Sequence, residues 1–303
     1  MTVLVAAGGV LAPLQLVFPA AGALLYYRRC QRLAAQERPV PAWRQVSFGL
    51  GLVVIAGAIS PPLHTLADEL LWAHMAQHLL LADIGALLAV LGLTGPLLQP
   101  LLSLRVVDRL RVLAHPGVAF PLWALDLYVW HLPPLYQAAL SSDLVHALEH
   151  GAFFLFGANV WLALFGPLPK PEWFGNAAKL GYIVGVRLTY ALLGNVLLWA
   201  STVFYPDYGH SEAARHIGGL RDQGLAGTIM MIEGSILTIL LFAWLFMKAA
   251  REQEERQQLL EYAEGLGVPL SRERAARAVA AGRGEELRGR LARGIGQTAG
   301  GRR

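Results

Sequence analysis

Seven long apolar stretches alternate with shorter polar segments, at about residues 4–26, 46–63, 71–93, 117–137, 146–166, 180–203 and 225–247. A helix needs ~20 mainly apolar residues to cross the hydrocarbon of a bilayer. The pattern therefore predicts an all-α polytopic membrane bundle with seven transmembrane helices. The second stretch is the shortest, and Pro61-Pro62 closes it, because proline cannot continue a helix. No basic segment precedes the first stretch, and Tyr26-Tyr27-Arg28-Arg29 follows it as an interface anchor. It reads as a span rather than a signal peptide.

Beyond Lys248 the pattern changes, dividing the chain into a transmembrane domain at 1–248 and a basic tail at 249–303. Residues 248–263 read as a charged helical continuation. Two Ala/Arg/Glu-rich helical patches follow, near 271–281 and 284–293, split by Ala281-Gly282-Arg283-Gly284. The tail is expected to lie on the cytoplasmic side, either resting on anionic lipid headgroups or partly disordered.

Composition sharpens this picture. Charged residues make up only 15% of the chain and hydrophobic ones 55%, against ~25% charged in soluble domains. This excludes a disordered chain and argues against an ordinary soluble enzyme. The 32 glycines suit close helix packing in lipid. Cys30 is the single cysteine, so neither an intrachain disulfide nor a thiolate cluster can form. The net charge of +4 reflects cytoplasmic loops and does not imply nucleic acid as a partner.

Lysine and arginine set the orientation. The 28–44, 94–116 and 167–179 loops carry ten of them, and the alternate loops only Arg215 and Arg221. The rule that basic loops stay in the cytoplasm puts the N-terminus outside and the C-terminus inside. The expected location is the bacterial inner (cell) membrane.

On that topology eight of the nine histidines fall at or near the outer face. They are His64, His74, His78, His131, His146, His150, His210 and His216. His115, beside Pro116-Gly117, has a turn role. Two i,i+4 pairs stand out, His74 with His78 and His146 with His150. Each pair lies on one helix face, and facing helices of a bundle can bring such pairs onto one ion. A single histidine could equally make an interhelical hydrogen bond. The candidate metal ligands are His74, His78, His131, His146, His150, His64 and Met230, with Met75 and Met231 nearby. Imidazole with thioether favours copper; zinc is also compatible with imidazole. Seven acids, among them Glu69, Glu149 and Asp222, face the outside and would attract a cation, although most read as a solvated surface.

Deeper in the spans lie Asp83, Asp126, Asn159, Asn195, Glu233 and Arg187. Charges at this depth need partners. Asp126 is placed to pair with Arg187. Asp83, Asp126, Glu149 and Glu233 are candidates to support the ligands from behind, with a structural polar network or an ion path as alternatives. Trp72, Trp130, Trp161, Trp199 and Tyr205 read as interface anchors. No phosphate loop, nucleophile elbow or haem-attachment motif is present, and no enzymatic reaction is specified.

His74-Met75-Ala76-Gln77-His78-Leu79-Leu80, Trp130-His131-Leu132-Pro133-Pro134-Leu135-Tyr136, His146-Ala147-Leu148-Glu149-His150 and Asp222-Gln223 before Gly227-Thr228-Ile229-Met230-Met231 occur in this order. The set resembles the polytopic CtaG family of cytochrome c oxidase assembly factors, over about residues 10–248. The resemblance implies an integral membrane protein needed to assemble an active oxidase, through copper delivery to a catalytic subunit. Oxidase subunits or a copper chaperone are the implied partners. Met231 stands where the family pattern has tryptophan. A membrane haem protein, which would also use facing histidines, and a secondary metal-ion transporter are the alternative readings.

Overall fold

The computed structural model describes residues 16–280 and 282–300, and among them every regular element is a helix. In chain order these are α1 (Val17–Ala35), α2 (Ala42–Ala58), α3 (Leu63–Ala67), α4 (Leu71–Leu91), α5 (Gly95–Leu102), α6 (Arg105–Ala114), α7 (Pro116–Trp130) and α8 (Pro133–Ser141). They continue as α9 (Asp143–Phe165), α10 (Asn176–Trp199), a 3-10 turn (Pro206–Tyr208), α11 (Gly209–Ala214), α12 (Gly219–Gly265), α13 (Arg272–Ala280) and α14 (Gly284–Gly300).

Four of the described helices, α4, α9, α10 and α12, are long and apolar enough to cross a membrane. A fifth forms if α6 and α7, bent by 79° at His115, count as one broken span. Each of the seven expected stretches carries a helix in its described part. Residues 4–15 of the first lie outside the described residues. The second has only the 17 residues of α2, which ends before the prolines.

The fourth stretch departs from expectation. It does not run to 137: α7 stops at Trp130, Leu132 is extended (φ −66°, ψ 128°), and α8 starts afresh at Pro133. The cause is Pro133-Pro134. A residue before proline is driven out of the helical region, while proline itself fits the first helical position. His131 is therefore the cap of a helix, not a position inside a span.

Helix α4 is the hub. Its apolar window is 72% buried, against 17% for the window of α12. It packs on α2 and on α9, and α9 packs on α7. The outer row of α9, Leu144, Leu148 and Leu155, is about 60% exposed. His146, His150 and Phe153 on the other face are buried. Apolar side chains on an exposed row match a lipid-facing surface.

Midway along α4, residues Leu80–Gly85 widen into a π-helical turn. Such a turn leaves backbone groups without their usual partners and often marks a functional site. The Ala82 carbonyl accepts a 3.0 Å hydrogen bond from the Trp161 indole. Trp161 is thus buried and bonded inside the bundle, not an interface anchor. Gly157, one turn before it, lies so close to Ala82 that a Cβ would strike that residue's backbone.

The chain divides into two compact units, one up to Leu237 and one from Thr238, inside α12. The second unit holds a small apolar cluster of its own, with Leu259 and Ala263 of α12, Val279 of α13, and Leu287 and Leu291 of α14. Helix α12 continues through the charged segment as expected, and α13 and α14 match the two helical patches. Ala281, within the predicted break, lies outside the described residues, and Gly282 turns the chain with a φ of +65°.

Candidate metal centre

Helix α4 supplies His74, Met75, Gln77 and His78, and α9 supplies His146, Glu149 and His150. The i,i+3 and i,i+4 spacings line each set along one face, and these two faces meet in the packed interior. The short helix α3 adds His64, and the end of α7 adds His131. All seven of these titratable groups and Gln77 are buried; His74, Glu149 and Gln77 are 0% exposed. The two predicted pairs converge as expected.

One donor atom from each of His74, His78, His146 and Glu149 lies within 4.8 Å of the others. A Glu149 carboxylate oxygen is 3.6 Å from His74 Nε2 and 3.8 Å from His78 Nε2. The rings of His74 and His146 stack at 5.2 Å, and His146 and His150 are 4.2 Å apart. Both ring nitrogens of His74 and His78, both oxygens of Glu149, His146 Nε2 and His150 Nδ1 are buried without a hydrogen-bond partner. An unsatisfied buried polar atom costs about 1–3 kcal/mol. One donor from each of His74, His78, His146 and Glu149 gathers at a common centre, which is the arrangement of a cation site. A tetrahedron of ~2.1 Å bonds has edges of about 3.4 Å, so the four donors close by roughly 1 Å onto an ion.

A supporting shell orients these donors. Gln77 Nε2 donates to the Ala58 carbonyl at 2.8 Å and lies 3.3 Å from His64 Nδ1. Its Oε1 accepts from His150 Nε2 at 3.2 Å, which leaves His150 Nδ1 with the lone pair. Above the centre, the Tyr136 ring lies 4.9 Å from His74, and its hydroxyl bonds that of Tyr208 at 2.9 Å. Tyr205 donates to the His131 carbonyl at 2.7 Å. Tyr205 is 2% exposed, so it braces the centre and is not an interface anchor.

Several expectations change. Glu149, expected behind the candidate ligands, has an oxygen within 4.8 Å of donor atoms of His74, His78 and His146. His64 is buried, 5.7 Å from the His146 ring, whereas His210 and His216 are exposed and outside the cluster. His115 caps α7, its Nδ1 accepting from Gly117 N at 3.2 Å, as its turn role required. Met230 lines a small void with Met75, His78 and His131.

Asp83, Asp126 and Glu233 have no described hydrogen bond to an imidazole. Asp83 bonds the Tyr190 hydroxyl, and Asp126 bonds Trp130. The proposed pair of Asp126 with Arg187 does not form. Arg187 bonds the Met231 carbonyl at 3.2 Å and Ser235 Oγ at 2.9 Å, on the neighbouring turns of α12. Met231 Sδ lies 3.5 Å from Asn195 Nδ2 and 3.7 Å from Arg187, so it faces a polar corner and not the histidines.

Asp222 is 0% exposed rather than a solvated acid. Its carboxylate accepts from the backbone N–H groups of Leu71 at 2.7 Å and Trp72 at 3.1 Å. The residue preceding α4, Leu70, has no capping side chain of its own, and Asp222 supplies one from another helix. Burial and the adjacent Asp222 push the Glu212 carboxyl above its ordinary range. Gln77, Tyr136 and Asp222 all stood in the quoted motifs, but residue type and spacing alone gave them no role.

Compared with known proteins, residues 24–252 match the model of the cytochrome c oxidase caa3 assembly factor family, Caa3_CtaG. The chain belongs to this family. An uncharacterized protein of Mycobacterium leprae is 22% identical over 231 residues, which is 70% of this chain. The chain spans about a third, 35%, of that relative's length. No solved structure matches the chain.

Proposed function

We propose that this chain is a multi-pass protein of the bacterial cell membrane that binds copper at the histidine cluster and hands it to a cytochrome c oxidase during assembly. The observation that supports this most is the convergence of unpartnered, buried donors from His74, His78, His146 and Glu149. Family membership supports a cytochrome c oxidase as the client. The receiver is an oxidase subunit, directly or through a copper chaperone. The sequence has no energy-coupling motif, so transfer runs down an affinity gradient and the chain catalyses no covalent reaction.

In this reading seven helices span the membrane, with the N-terminus outside and the cluster near the outer face, on the strength of the ten-to-two bias of basic residues. A reporter fused after Lys248 should give a cytoplasmic signal; an exoplasmic one overturns the topology. The imidazole rings crowd together with centroids 4.2–5.5 Å apart, one pair stacked and the others edge-on or tilted. That packing favours a bare ion over haem, which needs a slab for its macrocycle.

The deciding experiment is metal analysis of the purified wild type and of a His74→Ala/His78→Ala variant, with the copper content of the oxidase measured under copper limitation. The wild type should carry copper and the variant none, with a copper-depleted oxidase. A well-expressed variant that still yields a fully copper-loaded oxidase sinks the proposal.

A further inference from the structure

Beside the nitrogen–oxygen centre lies a second set of donors. The His131 Nδ1–H donates to the Leu127 carbonyl at 2.7 Å. That bond fixes the tautomer of the neutral ring and leaves its lone pair on Nε2. Nε2 is aimed at Met75 Sδ, 3.3 Å away. Sulfur is also an electron-pair donor, so two donors face each other with no proton between them. A void of about 10 Å³ adjoins them, bounded by Met75, His78, His131 and Met230. That is the room for one small occupant. The rest of its wall is Leu79, Leu127, Phe153 and Tyr190, whose hydroxyl is engaged by Asp83. Met75 and Met230 are each 2% exposed.

We propose that the cluster is two adjoining metal positions rather than one: a nitrogen–oxygen position at His74, His78, His146 and Glu149, and a thioether position at His131, Met75 and Met230 that takes Cu(I). This rests on the copper reading above and divides its ligand set. His131 is not among the side chains whose donor atoms gather within 4.8 Å. Thioether donors in a dry wall suit a soft monovalent cation, while imidazoles with a carboxylate suit a harder divalent one. His78 borders both positions, so an ion can pass between them without entering water. The other described sulfurs are committed elsewhere. Cys30 sits in a separate apolar cluster with Leu33 and Val40, Met231 faces Asn195 and Arg187, and Met247 is exposed.

Two measurements on the full-length protein test this. Wild type loaded with Cu(I) should show a sulfur shell in copper X-ray absorption. A Met75→Leu/Met230→Leu variant, which nearly conserves side-chain volume, should lose that shell while Co(II) titrates into the nitrogen–oxygen position as in the wild type. A shell of nitrogen and oxygen alone in the wild type overturns the thioether position and leaves copper binding standing; it needs no variant to fold. Loss of Co(II) together with Cu(I) in the leucine variant shows a single shared site and overturns the division. A wild type that binds neither metal removes the copper reading as well.

Discussion

His74 and Asp222 are both completely buried, at 0% exposure, and both belong to the motifs that carry the family resemblance. Their surroundings are opposite. Asp222 accepts two backbone hydrogen bonds at the start of α4. Its neighbour Gln223 accepts from Phe204 N at 2.8 Å and donates to the Thr202 carbonyl at 3.1 Å. Around His74 the polar atoms of four side chains lack partners. Burial alone therefore does not separate a ligand from a scaffold residue in this bundle. Convergence of unsatisfied groups does. A buried group with its bonds complete holds the fold. Single orphaned atoms such as the Tyr182 hydroxyl and Glu233 Oε1 stand apart, and among the described residues only around His74 do orphaned donors gather on one point.

The largest expected effect is on the unsatisfied side. Changing His74 and His78 together to alanine should abolish copper binding and leave an oxidase without its copper, yet the protein should still reach the membrane. The two imidazoles have at most weak contacts, to the Ala67 backbone and to Glu149 at 3.6–3.8 Å, so the fold loses little with them. Asp222→Ala should do the reverse. It strips the cap from α4 and orphans the Leu71 and Trp72 N–H groups, at a cost of about 1–3 kcal/mol. Thermal unfolding in detergent should show the loss, while metal bound per folded molecule stays unchanged. Unchanged stability for Asp222→Ala, or an unfolded double-histidine variant, would break the contrast.

Much of this was legible in the chain. The apolar stretches and the i,i+4 spacings fixed which histidines share a face, and α4 and α9 bring them together. The break at His131 was written in Pro133-Pro134, but a hydropathy reading runs through it because proline and leucine both count as apolar. The partner of Asp222 was not legible, since it lies 151 residues away on α4. Trp161 was misread for a similar reason. Its apolar ring suits a membrane interface, and only the π-helical turn of α4 reveals the carbonyl that takes its N–H.

Gln77 lies between the two classes. It is 0% exposed and its amide is bonded, yet its bonds run to His150 and His64 as well as to Ala58. Gln77→Ala frees the His150 ring to turn and unseats His64. A partner that orients a ligand typically contributes 10–100-fold in affinity. Copper competition against a chelator should therefore show a loss of about that size, at unchanged stoichiometry. Gln77→Glu keeps an acceptor for His150 but loses the donor to the Ala58 carbonyl, so it should rescue only part of the affinity.

The smallest effect is expected at Met231, and it is informative for that reason. Met230 and Met231 are adjacent in sequence, but consecutive helical residues point about 100° apart. Met230 lines the void beside His131, whereas Met231 Sδ lies against Asn195 and Arg187. Its bonds to those groups are weak and half-exposed, and leucine fills nearly the same volume, so Met231→Leu should cost less than about 1.5 kcal/mol. Copper affinity and the copper X-ray absorption spectrum should not change, because Arg187 keeps its bonds to the Met231 carbonyl and to Ser235. A lost sulfur signal in Met231→Leu would mean that α12 turns a different face to the cluster. The line between satisfied and unsatisfied groups would then have to be redrawn through span seven.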